Sequence, residues 1–220
     1  MICLQRGLPE RLRRRIPLRR VARLMGDLYV AKKTRGRVGV LTNIGIGAPS
    51  VVSLAEELIA LGTRRLISIV WGGALQPGLE PGQVVICQRA LRDEGVSHHY
   101  LPPAKYVDAS SDLMARLAAA MEQRGQPFQL GATWTTDAPY RETREEVQRY
   151  QAEGVKTVEM EIAGILALAQ ARGIEAASVV VVGDSLADLR WQAPSDVKPV
   201  ERSLEAVYAA AIDALDEASR

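Results

Sequence analysis

Cysteine is almost missing from this chain: Cys3 and Cys87 are the two in 220 residues. Such a pair supports neither a disulfide framework nor a multi-cysteine zinc site, and its scarcity suits a reducing cytosol. Histidine is equally scarce. His98 and His99 stand side by side with no further ligands at suitable spacing, so no metal site is expected. Neither sign of charge is in excess, since 28 Lys and Arg face 26 Asp and Glu, and a net +2 offers no global field to attract nucleic acid. Long apolar runs are lacking as well. Val179 to Val182 is one strand's length, and the run from Ile162 to Ala171 is broken at Gln170 and ended by Gly173, so no membrane contact is expected. Met1 to Leu4 forms no signal-peptide core before Arg6, which points to a cytoplasmic chain.

What is present is ordinary globular material. With 47% apolar and 25% charged residues, disorder and fibrous repeats are excluded, and the length fits a single domain over residues 1–220. The charge is unevenly placed: eight arginines between Arg6 and Arg23 face one acid, Glu10. No aromatic residue is interleaved to stack bases, so this stretch reads as a solvated helix face or as a lining for phosphate or a neighbouring subunit.

Period and punctuation give the elements. A strand within Gly36 to Ile46 runs into a glycine turn, and a helix from Pro49 and Ser50 stops at Gly62. Leu66 to Val70 is a strand buried on both faces, followed by a second turn at Gly72-Gly73 and a strand at Gln83 to Ile86. Arg92 to Tyr106 reads as a long surface or active-site loop. Helices are expected at Asp112 to Arg124, Arg144 to Glu153, Ile162 to Arg172 and Ser203 to Ala218, with strands at Gln129 to Thr135, Gly154 to Glu159 and Ser178 to Val182. Alternation of this kind is an α/β fold: a single-domain α/β/α sandwich with a mixed, mainly parallel central sheet.

Three features bear chemistry. The turn Asn43-Ile44-Gly45-Ile46-Gly47 ahead of a helix offers backbone N–H groups to an anion, although such glycines also serve simply to turn a strand into a helix. Glu159 and Glu161 lie at the end of a strand, where unpaired buried carboxylates are expensive without a role. Asp184 follows a buried strand, where α/β sheets place ligands; a helix N-cap is its alternative reading. Cys87 has no basic partner placed by sequence and reads as a small core residue.

Read together, Gly7-Leu8-Pro9-Glu10-Arg11, Asn43 to Ser50, Gly73-Ala74-Leu75-Gln76-Pro77 and Val158-Glu159-Met160-Glu161, with Val182-Gly183-Asp184 behind them, resemble the nucleoside phosphorylase family of hexameric purine nucleoside and uridine phosphorylases. The likeness runs from about residue 2 to the end. Arg92-Asp93-Glu94-Gly95 and Asp137 to Thr143 look most like its uridine phosphorylase side. The resemblance implies phosphorolysis of a nucleoside to free base and ribose 1-phosphate, with inorganic phosphate as co-substrate and no metal or organic cofactor. It also implies a homo-oligomer, a hexamer built from dimers.

Roles carry over residue by residue. Gly7 and Arg11 match the first phosphate loop, with Leu8 where the family has Asp, and Gly45 and Gly47 belong to the second. Arg20 or Arg23 is a candidate for the arginine that a neighbouring subunit lends to the phosphate. Glu161 and Met160 match the residues that hold the ribose hydroxyls and pack on the sugar, Glu159 being the adjacent acid. Asp184 matches the acid that meets the leaving base in purine-cleaving members. Trp71, Gly73 and Tyr140 are expected to line the base pocket, with Trp134 an alternative stacking partner. Glu161 and Asp184 are expected to converge on one hollow from the carboxyl tips of neighbouring strands.

The departures concern phosphate. Ser68 stands where relatives carry an arginine, and Trp71 where they carry a hydroxyl. Restoring both is expected to raise phosphate-dependent activity. Pro139 replaces the family's stacking aromatic, no clear Gln-x-Arg pair for a pyrimidine is found, and the chain starts almost on its first strand, without the segment that lends a histidine to the neighbour's ribose. A nucleosidase using water, or a catalytically silent nucleoside-binding or assembly subunit, are the alternatives.

Overall fold

The computed structural model describes residues 1–3, 16–23 and 26–216. Ten strands form one mixed sheet: β1 (Ile2–Cys3), β2 (Leu18–Arg23), β3 (Asp27–Ala31), β4 (Gly39–Thr42), β5 (Arg65–Ala74), β6 (Val84–Asp93), β7 (Tyr106–Asp108), β8 (Gln129–Thr136), β9 (Val155–Glu159) and β10 (Glu175–Ser185). Among the described residues six helices flank it: α1 (Ala48–Ala60), α2 (Ser97–Tyr100), α3 (Ser111–Gln123), α4 (Arg144–Ala152), α5 (Ile162–Arg172) and α6 (Lys198–Leu215).

The two longest ladders, β5 on β10 and β6 on β8, are parallel, while β2, β3 and β4 form an antiparallel edge. Apolar residues alternate along β5 and β10 and so feed two cores. Ile67, Ile69, Val179 and Val181 meet α3 and α6 on one face. Leu66, Val70 and Val180 meet α1 and α5 on the other. Helix α5 is apolar all round from Ile162 to Ala169 because that stretch lies inside the second core, between α1 and the sheet. In addition, β5, β10, β6, β8 and β9 pair in a closed circuit, each bonded to the next and the last back to the first.

Three sequence expectations change. Gly72-Gly73 is not a turn: β5 runs straight through it to Ala74. A Cβ on Gly72 would come within 2.6 Å of the Val158 carbonyl oxygen, so glycine there is what lets β9 lie against β5. The Arg92–Tyr106 loop is largely ordered structure, since β6 reaches Asp93 and α2 follows. Buried Arg92 pins it by donating to the carbonyls of Ser97, Leu101 and Pro102 and to the Ser97 hydroxyl. Finally, Arg19, Arg20 and Arg23 lie on the edge strand β2 and not on a helix face; the arginines from Arg6 to Arg15 fall outside the described residues.

Candidate functional site

Gly73 on β5 is flanked in register by Asp184 of β10 on one side and Val158 of β9 on the other. At a strand spacing of roughly 4.8 Å, Asp184 and the corner where β9 enters α5 stand roughly 10 Å apart. The two acids therefore do not occupy neighbouring strands as expected. Strand β5 separates them, and β9 runs antiparallel to it.

The corner is built from Glu159 to Glu161. Glu159 is turned inward. Its carboxylate accepts the N–H groups of Glu161 and Ile162, both at 2.7 Å, and the Thr135 hydroxyl at 2.5 Å, so it caps the first turn of α5. Its carboxylate, buried like that of Glu161, is already taken up by three donors that support the corner. Glu161 accepts the Gly47 N–H at 2.7 Å and the Met160 N–H at 3.2 Å, while the Ala48 N–H donates to the Met160 carbonyl at 2.8 Å. These bonds tie the glycine turn before α1 to the β9–α5 corner. A carboxylate has about four acceptor positions, so Glu161 retains capacity for the hydroxyls of a ligand. Burial raises the pKa of both acids, and for Glu159 the Glu161 charge adds to it.

The anion side is thinner than the sequence suggested. The Gly47 N–H, expected to meet phosphate, is taken by Glu161, and Gly45 lies against the Ser50 hydroxyl. Gly7 and Arg11 lie outside the described residues. Ser68 is fully buried and shares a 2.6 Å hydrogen bond with its register partner Ser178, so an arginine there would bury a charge among apolar side chains instead of rebuilding an anion site. Arg20 pairs with Asp27 at 3.5 Å, and Asp27 also accepts the Asn43 amide at the mouth of the glycine turn.

On the other side of Gly73, Asp184 belongs to β10 and caps no helix. Its Oδ2 accepts the Trp191 indole N–H at 2.5 Å, and its Oδ1 lies 3.5 Å from where a Cβ on Gly73 would stand. Burial lifts its pKa, against the pull of Trp191. Trp71 stands two residues before Gly73 on β5 with its indole on Gly183: a Cβ at position 183 would fall 1.3 Å from the Trp71 Nε1. Tyr140 stands wholly in solvent, and Trp134 is a core residue, packed on Tyr150 and donating to Asp93 at 2.9 Å; neither lines the site. Cys87 is a core residue as expected, its thiol pushed well up by burial.

Glu142 and Trp191 belong to this site and were not found from sequence. Glu142 precedes the capping box Thr143/Glu146 of α4, and its pKa is pushed up to about 7 by burial and by the charge of Asp184. The sign follows from linkage. Below the ordinary glutamate range the folded and unfolded chains are equally protonated; as pH rises towards 7 the unfolded chain ionises first, and stability falls. Thermal melts from pH 4.5 to 8 should therefore show a smaller decline for Glu142→Gln than for the unaltered chain. Parallel declines would show that Glu142 titrates normally.

The Phosphorylase superfamily model matches residues 6–218, and this chain belongs to that family. Its relatives include a guanosine phosphorylase of Halorubrum lacusprofundi, 29% identical over 168 residues that cover 76% of this chain and 70% of that protein. A DeoD-type purine nucleoside phosphorylase of Bacillus cytotoxicus is 29% identical over 69% of this chain and 66% of its own length. A uridine phosphorylase of Thermococcus kodakarensis is 32% identical over 64% of this chain and 56% of its own length. This chain thus spans between about half and 70% of the relatives it matches. No helix among the described residues is long and apolar enough to cross a membrane.

Proposed function

We propose that this chain is a pentosyltransferase that cleaves the N-glycosidic bond of a purine nucleoside with inorganic phosphate, giving free base and ribose 1-phosphate. The observation that carries the reading is the partly buried Asp184 carboxyl, with one oxygen over Gly73 beside the Val158 side chain and the Glu161 corner across β5 from it. Glu161 accepts the ribose hydroxyls while Met160 packs on the sugar. As the bond from C1′ to N9 breaks, its electron pair passes to the base, and Asp184 in its protonated form donates to N7. A phosphate oxygen then bonds to C1′. Burial of the acid favours the neutral form that donates, and holding the parts in line removes much of the entropic barrier. A pyrimidine offers no N7 to this acid, which is why a purine is preferred.

In this reading residues 1–220 act as one domain, Gly7, Arg11, Gly45 and a neighbour's Arg20 or Arg23 hold the phosphate, and no cofactor is needed. The enzyme works in the cytoplasm as a homo-oligomer, a hexamer built from dimers. A second reading, hydrolysis by water on the same sugar site, is favoured by one observation: Ser68 is tied to Ser178 where relatives are expected to carry a phosphate-binding arginine.

Base release from inosine, guanosine, adenosine and uridine, each with and without phosphate, tests this. Phosphate-dependent release from a purine nucleoside is the expected result. Release without phosphate selects hydrolysis, release from uridine alone overturns the assignment of the base, and silence across the panel overturns both enzymatic readings.

A further inference from the structure

We infer that Trp191 is a positioning and specificity residue of this site: its indole N–H fixes Asp184 so that Oδ1 faces the base, and its ring covers the base. The inference rests on the reading of Asp184 given above.

The segment after β10 is built to deliver this side chain. Ser185 and Gln192 exchange both backbone hydrogen bonds, at 3.0 and 2.8 Å, and so close the loop at its neck. Inside it, the Ala187 N–H donates to the Ser185 hydroxyl, Gln151 donates to the Ala187 carbonyl at 2.8 Å, and Leu186 and Leu189 pack against the cluster around Trp134 and Val158. Leu189 takes a left-handed conformation, φ 58°, which turns the chain back towards the sheet. Trp191 immediately precedes the neck and reaches Asp184 from there.

The indole is not held by packing, because it is 63% exposed. Its anchor is the single bond to Asp184 Oδ2. An indole N–H donates only, so it orients the carboxylate without offering a competing acceptor. With Oδ2 engaged, Oδ1 lies over Gly73 beside the Val158 side chain. A serine or glutamine could supply the same donor. What tryptophan adds is a broad apolar face beside a carboxyl that is itself withdrawn from water, and a flat heterocycle lying on Gly73 would meet that face. Trp71, seated on Gly183, presents a second indole, 39% exposed, on the β5 side of the same acid.

Two variants separate the donor from the ring. Trp191→Phe keeps a ring and loses the N–H, so kcat should fall about tenfold with KM unchanged. Trp191→Gln keeps an N–H donor and loses the ring, so KM for the nucleoside should rise about tenfold with kcat largely kept. A purely structural role would move both constants alike in both variants, or neither, and either result overturns the inference. Binding of the free bases hypoxanthine and adenine provides a readout that needs no turnover: quenching of indole fluorescence by the base should be seen in the protein and be strongly reduced in Trp191→Gln. Turnover by the unaltered protein with insensitive variants sinks this inference alone. Absence of both turnover and base binding sinks the functional reading with it.

Discussion

A Glu161→Ala variant is expected to lose at least a hundredfold in kcat/KM while keeping a cooperative thermal transition. In the proposed reading the loss follows from two charge-assisted hydrogen bonds to the ribose hydroxyls, each about 1.5–3 kcal/mol, and every 1.4 kcal/mol is about tenfold. The variant also leaves the Gly47 N–H without its carboxylate, a penalty of about 1–3 kcal/mol in stability. Glu161→Gln separates the two effects. Its amide oxygen can still accept from Gly47, so stability returns, but one oxygen is replaced by a donor and the sugar remains poorly held. Calorimetric titration with nucleoside, alongside circular dichroism melts, reads both. Wild-type affinity in a folded Glu161→Ala protein would remove this residue from the sugar site.

The second large effect is expected at Gly183. An alanine Cβ there would fall 1.3 Å from the Trp71 Nε1, a separation no real contact reaches, so the indole must leave its seat. Overpacking of this kind costs about 1–3 kcal/mol, and here the displacement falls beside Asp184. Gly183→Ala alone should lower both stability and activity by more than tenfold in kcat/KM. Paired with Trp71→Gly, most of the stability should return, a coupling of about 0.5–3 kcal/mol in a double-mutant cycle. Strict additivity would show that the two residues do not share the space.

How much of this was legible in the sequence depended on which signals were local. Apolar runs at Leu66 to Val70 and Val179 to Val182 placed the central strands, and the residues of α5 were read in full because Gly173 ends the helix in a left-handed cap. Strands β2 and β3 were missed, since LRRVAR carries solvated arginines on an edge strand and has no buried face to impose a period. At the site, Glu159, Met160, Glu161 and Asp184 were singled out through a resemblance. The inward turn of Glu159 was not legible, because what claims its carboxylate is the geometry of α5's first turn and Thr135, far away in the chain. Trp191 belonged to no motif, and Glu142 stood within the Asp137 to Thr143 stretch with no role of its own. Each acquires meaning only by reaching Asp184 across the fold, through a hydrogen bond in one case and a field in the other.

Closure of β5, β10, β6, β8 and β9 on themselves has a consequence for how a catalytic cycle can proceed. Gly73, Val158 and Asp184 are rungs of one hoop, so none can shift without breaking ladders on both sides of it. The Glu159–Glu161 corner and Asp184 are thus held at a fixed gauge. In the proposed reading, any breathing that admits substrate or releases product falls to segments outside those ladders, such as the tryptophan-bearing loop that Ser185 and Gln192 close at its neck.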